Sequence, residues 1–291
     1  MMSKTIGAVA LAIRESFSRP SLVRVPEPPL DIDAFDEAGG SDKGMQGIYH
    51  FNAWAIHALA PEKGTVVDLG CGSGRFLAAL AQRRPDLSIL GIDLDPEMLK
   101  RGRQRMKDLG MENRVELIEG IMTSFARLVP ASVSVVSALF CLHHLPTVQD
   151  LRACVREISS VRDARGTGVW LFDHARPKNK KTAILFPEIF TPHQNRTFKK
   201  ESTDSLMASW SFEELSTELS IVKDLHGSRA RILPLYQIHW AKGRSERASG
   251  RFTPPADLAT EARRTSNILT AIFSGTLPSL STTTMLSAEQ S

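Results

Sequence analysis

Val66-Val67-Asp68-Leu69-Gly70-Cys71-Gly72-Ser73-Gly74-Arg75-Phe76-Leu77 decides how this chain is read. Two β-branched residues run into an acid, glycines follow at alternate positions, and an apolar helical pattern then begins. That order predicts strand, tight turn, helix, because glycine lets the backbone enter positive φ and lets a ligand approach it closely. The spacing Gly-x-Gly-x-Gly departs from the dinucleotide fingerprint Gly-x-Gly-x-x-Gly. It also lacks the Gly-Lys-Ser/Thr of a phosphate-binding loop. Asp68 stands two residues before the first glycine. A carboxylate there repels a pyrophosphate but accepts hydrogen bonds from a ligand that carries an ammonium group.

Outward from this stretch, strands are expected at 65–69, 88–93, 115–119, 133–140 and 168–173. Helices are expected between them, near 74–83, 96–109 and 148–161. Asp95 caps the second of these, with Pro96 at its first position. The near-continuous apolar run of the fourth strand suits a buried parallel strand. Such alternation implies an α/β fold, a parallel sheet with helices on both faces. Before it, residues 45–60 have helical spacing, 20–44 are a Pro- and Gly-rich connector, and 1–19 are weakly amphipathic. The apolar run Ile6 to Ile13 reads as helix rather than signal segment, since no small-residue cleavage site follows. After it, 174–207 show no clear βα unit, and Ser211-Phe212-Glu213-Glu214 is a capping box opening a helix to about 219. An antiparallel hairpin is expected from 221–226 and 235–241, then a helix over 256–274 and a loose tail. The resulting organisation is an N-terminal cover (1–60), a central domain (61–243) with an insert (174–207), and a C-terminal helix and tail (244–291).

Composition narrows the setting. The 291 residues carry a formal charge of +4, which permits an acidic or nucleic-acid partner without requiring one. Cys71, Cys141 and Cys154 form no C-x-x-C motif, so neither a disulfide framework nor a metal site is expected, and a reducing cytoplasm is the simplest compartment. No apolar run approaches the ~20 residues of a membrane span.

The stretch from Val66 resembles motif I of the class I methyltransferases that use S-adenosylmethionine (SAM), in the form V-x-D-x-G-x-G-x-G. The zwitterionic, nucleoside-bearing SAM suits a glycine turn preceded by an acid. The resemblance implies a Rossmann-like, doubly wound sheet of seven strands, mostly parallel with one antiparallel, flanked by N- and C-terminal helical extensions. It also implies a cofactor site at Asp68, Gly70, Cys71, Gly72, Gly74, Asp93, Leu94, Ile121, Met122 and Phe140. Asp93, about 20 residues after the turn, is where ribose hydroxyls arrive; Asp95 is its rival but makes the better helix cap. Many relatives carry an acid directly after the glycine that follows strand three. Here Ile121 stands there, so backbone at Ile121 and Met122, or Ser124, would have to meet the adenine edge.

Leu142-His143-His144-Leu145 matches a strand-four stretch of many small-molecule methyltransferases. His143, His144, Asp173 and His174 lie at strand ends, where ligand-binding residues collect, and are the candidates for a base. In an extended chain His143 and His144 could not both point inward. Tyr49 and Asn52 on the N-terminal helix, and Arg176, are candidate substrate contacts. Residues 176–200 hold seven Lys or Arg against Glu188, with Phe186, Phe190, His193 and Phe198 interleaved. That pattern suits a lid over a small molecule or a nucleic-acid platform; the small molecule is preferred, with no membrane partner, and a homodimer is allowed for. An RNA or protein methyltransferase, and a SAM-binding scaffold without catalysis, stay open beside it.

Overall fold

Every strand of the alternating region forms. The computed structural model describes residues 19–20, 44–192, 194–230, 235–244 and 260–273. In it β1 is Thr65–Leu69, β2 Ser88–Asp93, β3 Val115–Glu119, β4 Val133–Leu139 and β5 Gly168–His174. These five pair in parallel, and β4 is buried along its whole length, as its continuous apolar run requires. β6 (His226–Arg229) and β7 (Tyr236–Ala241) complete one seven-stranded sheet in the order β3-β2-β1-β4-β5-β7-β6. β7 runs antiparallel to both β5 and β6.

The helices are α1 (Gly44–Leu59), α2 (Arg75–Arg83), α3 (Pro96–Asp108), α4 (Val148–Arg165), α5 (Lys180–Phe190), α6 (Arg196–Ala208), α7 (Phe212–Leu219) and α8 (Thr260–Ile272). Strand side chains alternate between faces, so Val66 joins one core while Val67 and Leu69 join the other. The first core is closed by α1, α2, α3 and α8, the second by α4 and α7. α1 and α8 cross closely: a Cβ at Gly47 would run into the Ala262 carbonyl. Phe51 of α1 stacks on Phe273 just beyond α8, with ring centres 5.9 Å apart. The chain builds β1, β2 and β3 outward and then returns to place β4 on the other side of β1. This reversal opens a crevice at the carboxyl ends of β1 and β4, where doubly wound sheets bind ligands.

Two strand boundaries change. The insert, read as holding no clear βα unit, forms two helices: α5 and α6 are capped by Asn179 on the Lys181 N–H (2.7 Å) and by Asn195 on the Phe198 N–H (2.8 Å). Pro187 inside α5 obscures its helical pattern. The first hairpin strand begins at His226 rather than 221, because Val222 N–H still bonds the Leu219 carbonyl and Asp224 turns at φ 54°. β4 stops at Leu139 rather than 140, for a reason given below. The expectations for 1–18, 21–43, His193, 245–259 and 274–291 lie outside the described residues.

Candidate active site

At the end of β1 the chain passes Gly70, Gly72 and Gly74 with φ of 64°, 53° and 71°. Other L-residues reach that region only with strain. The first two glycines differ in surroundings. A Cβ at Gly70 would collide with the Cys141 side chain, so Gly70 is what lets β1 close against the end of β4. A Cβ at Gly72 would meet no atom of the described residues within 4 Å. The turn therefore offers an open cradle at Gly72, where a bound molecule can approach backbone. Cys71 faces away from it; its sulfur fills the space left by Gly91 in β2.

Two acids serve this turn and a third caps α3. Asp93, the last residue of β2, accepts from the Gly72 N–H at 2.7 Å and the Asp95 N–H at 2.9 Å. Asp95 caps α3, accepting from the Glu97 and Met98 N–H groups at 2.9 and 3.2 Å. Asp68 is buried between β2 and β4 and accepts from Ser137 Oγ at 2.6 Å. Burial pushes its pKa up to about 8; the Ser137 bond opposes the rise and the nearby Asp93 adds to it. A carboxyl so placed ionises when a cation comes beside it. Leu94 and Ile121, which follow the paired residues Asp93 and Glu119, are about half exposed and give this end of the crevice apolar surface. Half-buried Met122 opens a short 3-10 turn to Ser124.

The chain leaves β4 through Phe140 at φ 51°, a rare conformation for an aromatic residue. This ends the strand and brings the Phe140 ring within 4.6 Å of the His174 ring and 5.1 Å of Phe172. A 3-10 turn, Leu142–His144, follows, so the histidines are not alternate residues of an extended strand and their rings lie 4.2 Å apart. His143 is buried, with Nδ1 2.7 Å from Asp173 Oδ1. Its backbone N–H donates to Asp173 Oδ2 at 3.1 Å, and the His174 N–H donates to Oδ1 at 2.7 Å. Burial alone would raise the Asp173 pKa, but His143 and these donors hold it below its ordinary value. The ionised Asp173 accepts the Nδ1 proton, which leaves the lone pair of His143 on Nε2.

Among the described residues, His143 Nε2 and His174 Nδ1 are both buried without a hydrogen-bond partner, in rings 5.8 Å apart. Buried polar atoms are nearly always paired, so two such nitrogens mark a place for a polar ligand group. Burial and the neighbouring His143 push the His174 pKa down to about 3, so that ring is neutral. Tyr236 lies opposite His174 in the β5–β7 register and stacks on His174 at 5.4 Å and on Phe172 at 5.6 Å.

Residues 66–166, from the glycine turn to the end of α4, match the family model described as a methyltransferase domain. Over that span the chain carries a methyltransferase domain. It is 28% identical over 182 residues to the candidate methyltransferase YqeM of Bacillus subtilis (strain 168), an alignment covering 60% of this chain. The chain spans 65% of YqeM, less than two thirds of its length. Its fold is like that of the plantazolicin methyltransferase BpumL in complex with SAH (TM-score 0.53, 13% identity, 74% of this chain and 90% of that one). It is also like that of the mitomycin 7-O-methyltransferase MmcR (TM-score 0.51, 16% identity, 83% and 67%).

Two further sequence candidates have structural partners. Asn52 is fully buried: Nδ2 donates to the Ile48 carbonyl at 2.8 Å and Oδ1 accepts from Trp170 Nε1 at 2.7 Å. Both its ends are committed within the core, so it is not retained as a substrate contact. Arg176 donates to Glu214 Oε1 at 2.6 Å and to the Ser209 carbonyl at 3.2 Å. Tyr49 is buried on α1. Tyr236 is absent from the sequence candidates; the expected antiparallel pairing is its only signal, because the register that sets it against His174 is tertiary.

Buried groups set the response of the protein to pH. His174 and His239 stay neutral down to about 3 and about 4, both through burial. The unfolded chain protonates them near 6.5. Between pH 6.5 and 4 the unfolded state thus binds two more protons at these sites, while the folded state binds one more at Asp68. The histidines win, and stability falls as pH drops through this window. From 6.5 to 8 Asp68 alone of these three groups still differs between the two states, and stability falls as pH rises. Thermal melts of the ligand-free protein should peak near pH 6.5, and Asp68→Asn should flatten the alkaline limb. A wild-type melting temperature still climbing at pH 8 rejects the Asp68 account.

Proposed function

We propose that this chain transfers a methyl group from SAM to a small-molecule acceptor by in-line displacement, with His143 as general base. The observation that carries the reading is the buried His143–Asp173 pair, whose unpartnered Nε2 stands at the crevice end of β4 and β5. The donor set fits SAM. The open space at Gly72 admits it, the Asp68 carboxyl favours an incoming ammonium, Asp93 suits ribose hydroxyls, and Leu94 and Ile121 suit a base. When bound, SAM supplies an electrophilic methyl group on a sulfonium leaving group.

The chain's own work is then positioning, exclusion of water and one proton transfer. His143 Nε2 takes the proton of the acceptor's nucleophilic atom, and Asp173 stabilises the imidazolium that results. Phe140, Phe172 and Tyr236 supply an apolar wall beside it, and α5 and α6 close the site from the insert. The small-molecule class draws support from the natural-product methyltransferases of like fold. It draws support also from the insert's charge, because Arg176, Lys199 and Lys200 each pair with an acid. That pairing weakens the case for an RNA platform.

Incubation with methyl-labelled SAM, a metabolite extract and total RNA tests the class directly: label is expected in small molecules. Label confined to RNA or protein overturns it. For the cofactor, Asp93→Ala should weaken SAM binding by about 1.5–3 kcal/mol, the cost of losing hydrogen bonds to a charged group. Asp95→Ala should instead lower stability by about 1 kcal/mol through the lost cap and spare SAM affinity. Calorimetry giving the two variants equal SAM affinity rejects the assignment.

A further inference from the structure

Far from the catalytic residues in sequence, Arg19 reaches the turn that carries His143. Its Nη2 donates to the His143 carbonyl at 2.9 Å and the Leu145 carbonyl at 2.7 Å, and Nη1 donates to the Pro146 carbonyl at 2.9 Å. Nε donates to the Ala208 carbonyl at the end of α6 at 2.5 Å. The guanidinium lies 3.6 Å over the Trp210 ring, and Trp210 Nε1 in turn donates to the Leu142 carbonyl at 2.9 Å. The Trp210 carbonyl accepts from Gln237 Nε2 at 2.9 Å and from the Arg176 N–H at 3.2 Å. One planar cation thus ties the 142–146 turn to the far end of the insert. The turn's carbonyls at 142, 143, 145 and 146 all have donors through this hub.

We propose that Arg19 is a positioning residue for methyl transfer, which fixes His143 by holding its carbonyl while Asp173 holds its N–H and its ring. The proposal rests on the reading of His143 as base. His143 is clamped from both sides of its backbone: Asp173 Oδ2 on the N–H at 3.1 Å and Arg19 on the carbonyl at 2.9 Å. The geometry demands arginine. A fork of N–H groups bonds several carbonyls in different directions while its flat face stacks on an indole, and a lysine ammonium does neither as well. A base displaced by about 1 Å loses on the order of a hundredfold in rate, so a clamp on the turn acts on catalysis without touching substrate.

The test uses the full chain and two readouts. The first is the exchange of the His143 Nδ1 proton, observed by NMR downfield and assigned by its absence in His143→Ala. Arg19→Ala should speed this exchange about tenfold or more, while the indole proton of Trp170, bonded to Asn52, keeps wild-type protection. Arg19→Lys should recover part of the protection. The second readout is the rate of label transfer from methyl-labelled SAM into the metabolite extract. Arg19→Ala should lower it about tenfold or more, with SAM affinity unchanged. The double variant with His143→Ala should be no slower than His143→Ala alone, as expected of residues acting through one group. Wild-type exchange at His143 in Arg19→Ala overturns the proposal, and so does an equal loss of protection at Trp170, which marks general loosening. If Arg19→Ala loosens the His143 proton but His143→Ala transfers label at the wild-type rate, the base assignment fails and the clamp stands.

Discussion

His143→Ala is expected to lower methyl transfer by about 10²–10⁴-fold, the range set by loss of a positioned general base. SAM affinity should be unchanged, because the acids and glycines proposed for the cofactor lie at the ends of β1 and β2 and the imidazole lies beyond β4. Asp173→Asn separates the orienting role from the proton-accepting one. An amide can still meet the His143 N–H groups in one orientation, but it no longer stabilises an imidazolium or selects the tautomer that leaves Nε2 bare. It should therefore lose turnover while keeping the fold. His174→Ala should cost less, since that ring is held neutral far below neutrality and cannot cycle a proton. Single-turnover kinetics on the identified product measure all three. Wild-type rates in both His143→Ala and Asp173→Asn would falsify the placement of the base.

Gly72→Val should reduce SAM binding by more than about a hundredfold. The backbone at Gly72 sits at φ 53°, a conformation that costs an L-residue roughly 1–2 kcal/mol. A β-branched side chain would also project into the space that no described residue occupies within 4 Å. Those two consequences are separable. Gly110 has φ 65°, and a Cβ there would likewise meet none of the described residues within 4 Å, but it lies after α3, away from the crevice. Gly110→Val should therefore show the conformational penalty in its melting temperature and leave SAM binding intact. If calorimetry finds the two variants binding SAM equally well, the cradle at Gly72 is not the cofactor site. Gly70→Val is a poorer probe, since its collision with Cys141 threatens the closure of β1 against β4.

The local sequence determined the parallel half of the fold and the cofactor turn. Strand and helix periods differ, β-branched runs are punctuated by glycine, and caps such as Asp95-Pro96 and Ser211 through Glu214 act within a few residues, so these features are legible without tertiary knowledge. The same locality marks Asp68 and Asp93 as neighbours of the glycine turn, since each stands at a fixed offset from it. Tertiary structure decided what those rules cannot reach. α5 escapes them because Pro187 breaks its pattern, and only packing against α6 and β7 makes the helix worthwhile. Asn52 reads as a substrate contact in sequence but pairs with Trp170, 118 residues away, because a buried indole N–H needs an acceptor. The pairing of His143 with Asp173 spans 30 residues and depends on β4 and β5 being neighbours, and on Phe140 leaving the strand at positive φ. Arg19 carries no signal at all, since carbonyls from 124 to 189 residues further along the chain come within its reach only when the sheet, the turn and α6 have closed around Trp210.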